Sequence, residues 1–359
     1  MTASPDVRFR TRFAILCVMA MAVCLPDAPF LRAQPFASVS NPQSTFAADS
    51  AATVAAPLFP SADSVSLDAD PGVVDPGVEA MRLIGASLRR FYEYRTVSAS
   101  FRIEANLYGM TLAGNGEYLA NWDARGLRFR YALWFPLSGE RMARWVQCCD
   151  GYTLRTLTEV GGPATMRKVE LEQIRNELSL EGQEIDARWP GLGGLPKMLY
   201  QLGRLVTWTG CEESAFGDVT VGDADSAAQP QTRRIWKLTG RISESAVRRF
   251  FSESIEGGGA DGKTNRDEAI SPARMAAVLQ LPDYLVLCLD QETLFPCGIV
   301  LFHTDRRGKT TPIATLVTTR FLFGGRVDDA VFEDMPTDIE SLDVTRAFLR
   351  SLRQGEVPD

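Results

Sequence analysis

The sequence predicts an α+β fold in which an antiparallel sheet carries its helices on one face. Three observations lead there. Apolar residues change from helical spacing to strict alternation just before residue 100. The alternating stretches then follow one another at hairpin distance, with no regular helix between them. Only two long amphipathic helices are available to cover the sheet, enough for one face.

Taken in order, Asp75-Pro76 opens the first helix, because proline is tolerated in a first turn. Val78, Met81, Leu83, Ile84, Leu88, Phe91 and Tyr92 recur at helical spacing, so Pro76 to Tyr94 reads as amphipathic helix. Phe101, Ile103, Ala105 and Leu107 next alternate with Arg102, Glu104 and Asn106, the period of a half-buried strand. Strand-like stretches continue at Gly116 to Trp122, Leu127 to Phe135, Met142 to Cys149, Tyr152 to Glu159 and Met166 to Ile174. Turn signals separate them at Gly109, Asn121 to Gly126, Ser138-Gly139 and Asp150-Gly151. Gly191 to Pro196 breaks the meander. Pro196 then opens a second helix with an apolar stripe of Leu195, Met198, Leu199, Leu202, Leu205 and Val206. Strands resume at Arg233 to Ile242, Tyr284 to Leu289, Gly298 to His303 and Ile313 to Phe323. Between the first two of these, Ser243 to Gln280 contains three consecutive glycines and reads as a surface insertion. Asp343 caps a closing helix that runs to Leu352.

Ahead of this domain stand two segments of other character. Arg8, Arg10 and Arg12 precede an uncharged run from Phe13 to Leu25, the order of a secretory signal, and Pro26 and Asp27 end the run short of a membrane span. Cleavage is expected after Leu31-Arg32-Ala33, giving a leader of residues 1–33. A retained short anchor is one alternative, and a lipid anchor at Cys24 is another, with Val23 crowding the place where a small residue is wanted. Gln34 to Gly77 is rich in Ala, Ser, Pro and Asp and holds no Lys or Arg, so it reads as a flexible acidic linker, and the working domain is residues 78–354.

Net charge is −7 for the whole chain, and removing the leader, with four Arg against Asp6 and Asp27, takes it to −9. An acidic domain excludes the clustered cations that nucleic acid requires. No later apolar run reaches membrane-spanning length, so the mature chain is expected to be soluble in the periplasm or another extracytoplasmic space. His303 is the one histidine, which leaves histidine triads and multi-histidine metal sites without residues. The Gly-x-Ser-x-Gly, His-Glu-x-x-His, phosphate-loop and dinucleotide patterns are absent. Asp290, Glu292, Asp328 and Asp329 sit in turn-like stretches where solvated charge is the default. The chain therefore reads as a non-enzyme with no cofactor and no metal site. Five cysteines follow the leader: Cys148, Cys149, Cys211, Cys288 and Cys297. Cys288 and Cys297 flank a hairpin about Glu292-Thr293, so a cross-strand disulfide is expected there. A Cys-x8-Cys pair with no second pair nearby lacks zinc spacing.

Particular residues also carry a family resemblance. The opening helix ends in Phe91-Tyr92, and Val97 to Ile103 follows it. A Gly-Glu-Tyr strand at Gly116 to Tyr118 and the Cys149 to Tyr152 turn continue the series. Leu287 to Pro296 makes a strand, acidic turn and strand after proline, and Phe332 precedes Met335-Pro336. In this order the chain resembles the periplasmic lipoprotein carriers and their outer-membrane lipoprotein-sorting relatives over most of Pro76 to Thr345. The resemblance implies an incomplete antiparallel barrel, curved around two or three helices, with acyl chains of lipids or lipoproteins and envelope membrane proteins as partners. Two departures stand out: 243–280 has no counterpart, and no basic residue matches a ligand anchor. A curved sheet partly filled by helices leaves an apolar groove on its concave side. Its candidate wall is Phe101, Ile103, Leu107, Tyr118, Phe129, Tyr131 and Trp145, all at alternating strand positions, and the segment of Leu192 and Leu195 reads as a plain loop or, alternatively, as a lip over the groove. The functions to be weighed are therefore a lipid or lipoprotein carrier and a non-catalytic envelope scaffold whose core is filled by its own side chains.

Overall fold

The computed structural model describes residues 75–107, 110–123, 126–136, 142–160, 162–180, 193–221, 230–242, 282–305 and 307–353. The expected leader, the expected linker up to residue 74 and the expected insertion lie outside these residues.

Helix α1 spans Pro76–Glu93, with the Asp75 carboxylate accepting from the Gly77 amide at 2.8 Å to cap its start. Ala80, Leu83, Ile84, Ser87 and Phe91 form its buried stripe. Six strands follow without a helix between them: β1 Thr96–Leu107, β2 Met110–Asp123, β3 Gly126–Pro136, β4 Met142–Cys149, β5 Thr153–Val160 and β6 Thr165–Glu170. The strand expected over Met166 to Ile174 stops early. Leu171, Ile174 and Leu178 are buried at helical spacing, so the chain turns directly into α2, Leu171–Leu180. Helix α3 is Gly194–Leu205 and runs straight into β7, Val206–Val221, a strand whose Cys211-Glu212-Glu213-Ser214 centre gives no alternating signal. Pairing with β8, Pro230–Ile242, along nearly its whole length holds β7 extended. Strands β9 Tyr284–Asp290, β10 Pro296–Thr304 and β11 Thr310–Phe323 complete the main sheet.

All twelve strands belong to one sheet, antiparallel except where β11 meets β7 and where β12, Ser341–Asp343, meets β6. The first half is an open meander, β1 to β6, joined to the second half through β1 and β11. In the second half the pairings return on themselves. Strand β11 bonds β10 over Thr310–Val317 and then β7 at Arg320 and Phe321, which closes the ring β7–β8–β9–β10–β11. Five successive antiparallel strands bring the fifth back parallel to the first, so this closure has to be parallel. An open meander attached to a closed ring is an incomplete barrel, and α1 and α3 lie on its inner face.

The main apolar cluster unites the inner faces of both halves with α1, α2 and α3. A smaller one lies on the outer face of β3 to β6, around Ala132, Val146, Cys148, Leu157 and Met166. The segment after β11 crosses this outer face as a strap. Met335 and Ile339 pack on the patch, and a turn of 3-10 helix at Asp329–Phe332 seats Phe332 beneath Arg128. Arg128 holds Asp123 at 2.7 Å and Asp329 at 2.6 Å. The strap ends in β12, and α4, Thr345–Arg353, adds Phe348 and Leu349 to the main cluster. As expected, the Asp343 carboxylate accepts from the Thr345 amide at this helix's start.

The expected Cys288–Cys297 disulfide is not present: both are free, buried thiols. Regular pairing onward from Leu289 opposite Pro296 would set the two cysteines against each other. A bulge between Pro296 and Gly298 instead places Gly298 opposite Cys288 and leaves Cys297 unpaired in the ladder.

Candidate functional site

Strand alternation decides which side chains share the interior. In β1 the odd residues Val97 to Ala105 face inward, in β2 the even ones, and in β3 and β4 the odd ones again. Cross-strand register turns these into rows. One row runs Ala99, Tyr118, Tyr131, Gln147, and its neighbour runs Phe101, Gly116, Leu133, Trp145. Tyr131 meets Phe101, Tyr118 and Trp145 edge to face, with ring centroids 5.5–5.9 Å apart. A side chain at Gly116 would strike Leu133, 2.6 Å away, and crowd the Ala132 carbonyl at 3.0 Å, so that glycine makes room for its cross-strand neighbours.

Six of the seven expected wall residues thus stand together on one inner surface: Phe101, Ile103, Tyr118, Phe129, Tyr131 and Trp145. Leu107 ends β1, and its side chain, like Leu192, lies outside the described residues. None of the six is more than 2% exposed, so the wall is covered rather than open. Leu195 is also fully buried, within α3 instead of at an exposed lip.

Two helices form the cover. From α1, Phe91 meets Tyr118 at 6.4 Å and Phe295 at 5.4 Å. Helix α3 covers the wall with bare backbone at its first turn. Gly193 has φ +155° and Gly194 φ +66°, both favourable to glycine alone. A methyl group on Gly193 would stand 2.5 Å from Phe129 and 2.7 Å from Gln147 Oε1, and one on Gly194 would stand 2.9 Å from the Tyr118 ring. The Gly194 amide donates to Gln147 Oε1 at 3.1 Å, and Lys197, in the same turn, lies over the Phe348 ring at 5.9 Å. The helix start has no capping side chain.

Sequence reasoning missed Gln147. Its signal was available: a polar residue on the inward side of β4, between Trp145 and Cys149. Three polar atoms in or beside the interior, Tyr118 Oη, Gln201 Oε1 and Trp208 Nε1, have no hydrogen-bond partner among the described residues. Burial pushes the Tyr118 phenol well above its ordinary range, chiefly through desolvation of the anion. It likewise raises the Cys149 thiol to about 12, so neither group is a nucleophile near neutrality. Among the described residues no group of three or more His, Cys, Asp or Glu is placed to hold a metal ion, and no helix is long and apolar enough to cross a membrane.

No family model and no curated protein matches the chain. Solved structures with a similar course include a DUF1329 family protein from Desulfovibrio piger, at 7% identity over 73% of this chain and 98% of the other, with a TM-score of 0.30. An outer-membrane lipoprotein-sorting protein domain from Vibrio parahaemolyticus is similar at 8% identity over 71% and 97%, with a TM-score of 0.25. The Mycobacterium tuberculosis lipoprotein LppX is similar at 9% identity over 70% and 98%, with a TM-score of 0.29. At these scores the likenesses carry no argument about function.

Proposed function

We propose that this chain is an exported, non-catalytic carrier that shelters the acyl chains of a lipid or lipoprotein between its sheet and its helices, with Phe101, Ile103, Leu107, Tyr118, Phe129, Tyr131 and Trp145 as the wall. The observation that carries this reading is the nature of the cover. At its first turn α3 rests on the aromatic surface with two glycines, and the Gly194 amide donates to Gln147. Lifting that turn uncovers apolar rings; it gives up the Gln147 bond, about 1 kcal/mol, together with the burial of Leu195 and Pro196 and the Lys197 contact over the Phe348 ring. Acyl chains entering there would take the place of protein backbone against Phe129 and Tyr118, and burial at about 25 cal/mol per Å² would hold them.

Mass spectrometry of gently prepared protein, together with uptake of a fluorescent fatty acid, tests the proposal. Co-purifying lipid or saturable uptake is expected. Absence of both removes the carrier reading. Complete burial of the wall favours a second reading, an envelope scaffold whose core is filled by its own side chains. That reading predicts no uptake and a stoichiometric protein partner in a pull-down.

A further inference from the structure

Resting on the carrier reading, we infer that the interior recognises an ester carbonyl of its cargo through the Tyr118 hydroxyl, with the Gln147 amide beside it. Tyr118 is 1% exposed, and its hydroxyl has no hydrogen-bond partner among the described residues. Phenylalanine would make the same ring contacts with Phe91, Phe129 and Tyr131 without stranding a polar group. The hydroxyl is therefore explained by something that reaches it from outside the chain.

Its position says where. Tyr118 and Gln147 stand in one inner row, separated by β3, or about 10 Å at the usual strand spacing. Both border Gly194: Tyr118 Oη lies 3.3 Å from where a Gly194 side chain would begin, and Gln147 Oε1 accepts from the Gly194 amide. Raising the first turn of α3 uncovers the two polar groups together, at the edge of an otherwise apolar wall. Gln147 Nε2 meets Thr156 at 3.5 Å and has a second N–H to give. The phenol and the amide are neutral donors, and the groups around the hydroxyl, Phe91, Tyr92, Phe129, Tyr131, Cys149 and the Gly194 backbone, are uncharged near neutrality. Such a site suits a carbonyl oxygen. An ionised carboxylate would enter it without a compensating cation, and a bare hydrocarbon would leave the hydroxyl unsatisfied.

Three probes of equal chain length and equal fluorophore distinguish these cargoes: an acyl ester, the matching ether and the free acid at pH 8. The whole chain is expected to bind the ester about fivefold more tightly than the ether, and the acid no more tightly than the ether. Tyr118→Phe should bring the ratio of ester to ether binding from about five to about one. An ester preference that is absent from the parent protein, or that survives Tyr118→Phe, overturns the inference while the carrier reading stands. Acid as the tightest probe overturns the assignment to esters. Failure of every probe on both proteins removes the carrier reading itself. Tyr118→Phe should melt at the same temperature or higher, since no internal bond is lost; a melting point lower by several degrees means the hydroxyl has a partner within the protein and also overturns the inference.

Discussion

Gly194→Ala puts a methyl group where the cover of the interior touches its wall. The new carbon would stand 2.9 Å from Tyr118 Cε2 and 3.4 Å from Phe129 Cδ2, at a φ of +66°. Left-handed backbone costs an L-residue about 1–2 kcal/mol, and overpacking a filled core adds about 1–3 kcal/mol. The strained state is thus about 2–5 kcal/mol less favourable. Part of that strain can be escaped by lifting the first turn of α3 and giving up the Gln147 bond, at about 1 kcal/mol plus some apolar contact. A net loss near 2 kcal/mol is therefore expected, with a population of lifted turns roughly 30-fold larger. Gly203→Ala in the same helix is the control. Its methyl group would lie 3.6 Å from Ile84 and 3.8 Å from Met81, ordinary contact, so removing a mid-helix glycine should stabilise by about 0.5–1 kcal/mol. Urea titration measures the two opposite signs, and hydrogen exchange at Leu195 and Lys197 measures lifting. Gly194→Ala with the parent's stability and exchange would refute the contact between α3 and the wall.

Three more expectations concern the frame around the site. Asp290 is buried, holds Arg233 at 2.7 Å and accepts from the Glu292 and Thr293 amides and the Thr293 hydroxyl, so Asp290→Asn should cost about 3–5 kcal/mol in urea titration. Arg128→Met should free the strap by removing its hold on Asp123 and Asp329, seen as faster limited proteolysis between Gly324 and Asp328 and a loss of about 1–3 kcal/mol. The buried thiols set an alkaline limit: burial raises Cys148 to about 11 and Cys149 and Cys288 to about 12, above an ordinary value near 9. Below pH 9 these groups are protonated in both folded and unfolded chains; above it only the unfolded chain releases its protons, up to about pH 11 for Cys148 and about pH 12 for Cys149 and Cys288. Stability should fall over that window by about 1.4 kcal/mol per pH unit for each thiol, and Cys149→Ala should make the fall shallower.

Much of the frame was legible because alternation is a property of adjacent residues. Phe101, Ile103 and Ala105 announce β1, and the limits expected for β4 are the observed ones. The inner wall was legible for the same reason: period two places Phe129, Tyr131 and Leu133 on one face wherever the strand lies. What covers that face was not legible, because it depends on where α3 lands, and the Gly193–Gly194 pair reads locally as a break rather than as a contact surface. Strand β7 was missed because its middle is charged and its extended shape is imposed by β8. The disulfide expectation failed on one inserted residue, since a bulge carries no signature in a hairpin already marked by proline.

The pairing of β1 with β11 also has a kinetic meaning. Thr319 reaches Ser100 across 219 residues of chain, and Ser87 reaches Leu294 across 207. The first strand to emerge during synthesis finds one flank only when nearly the last has been made, and both the ring and the wall wait on that event. Folding dominated by such distant partners is slow, so the unpaired strands need protection from aggregation until β11 arrives.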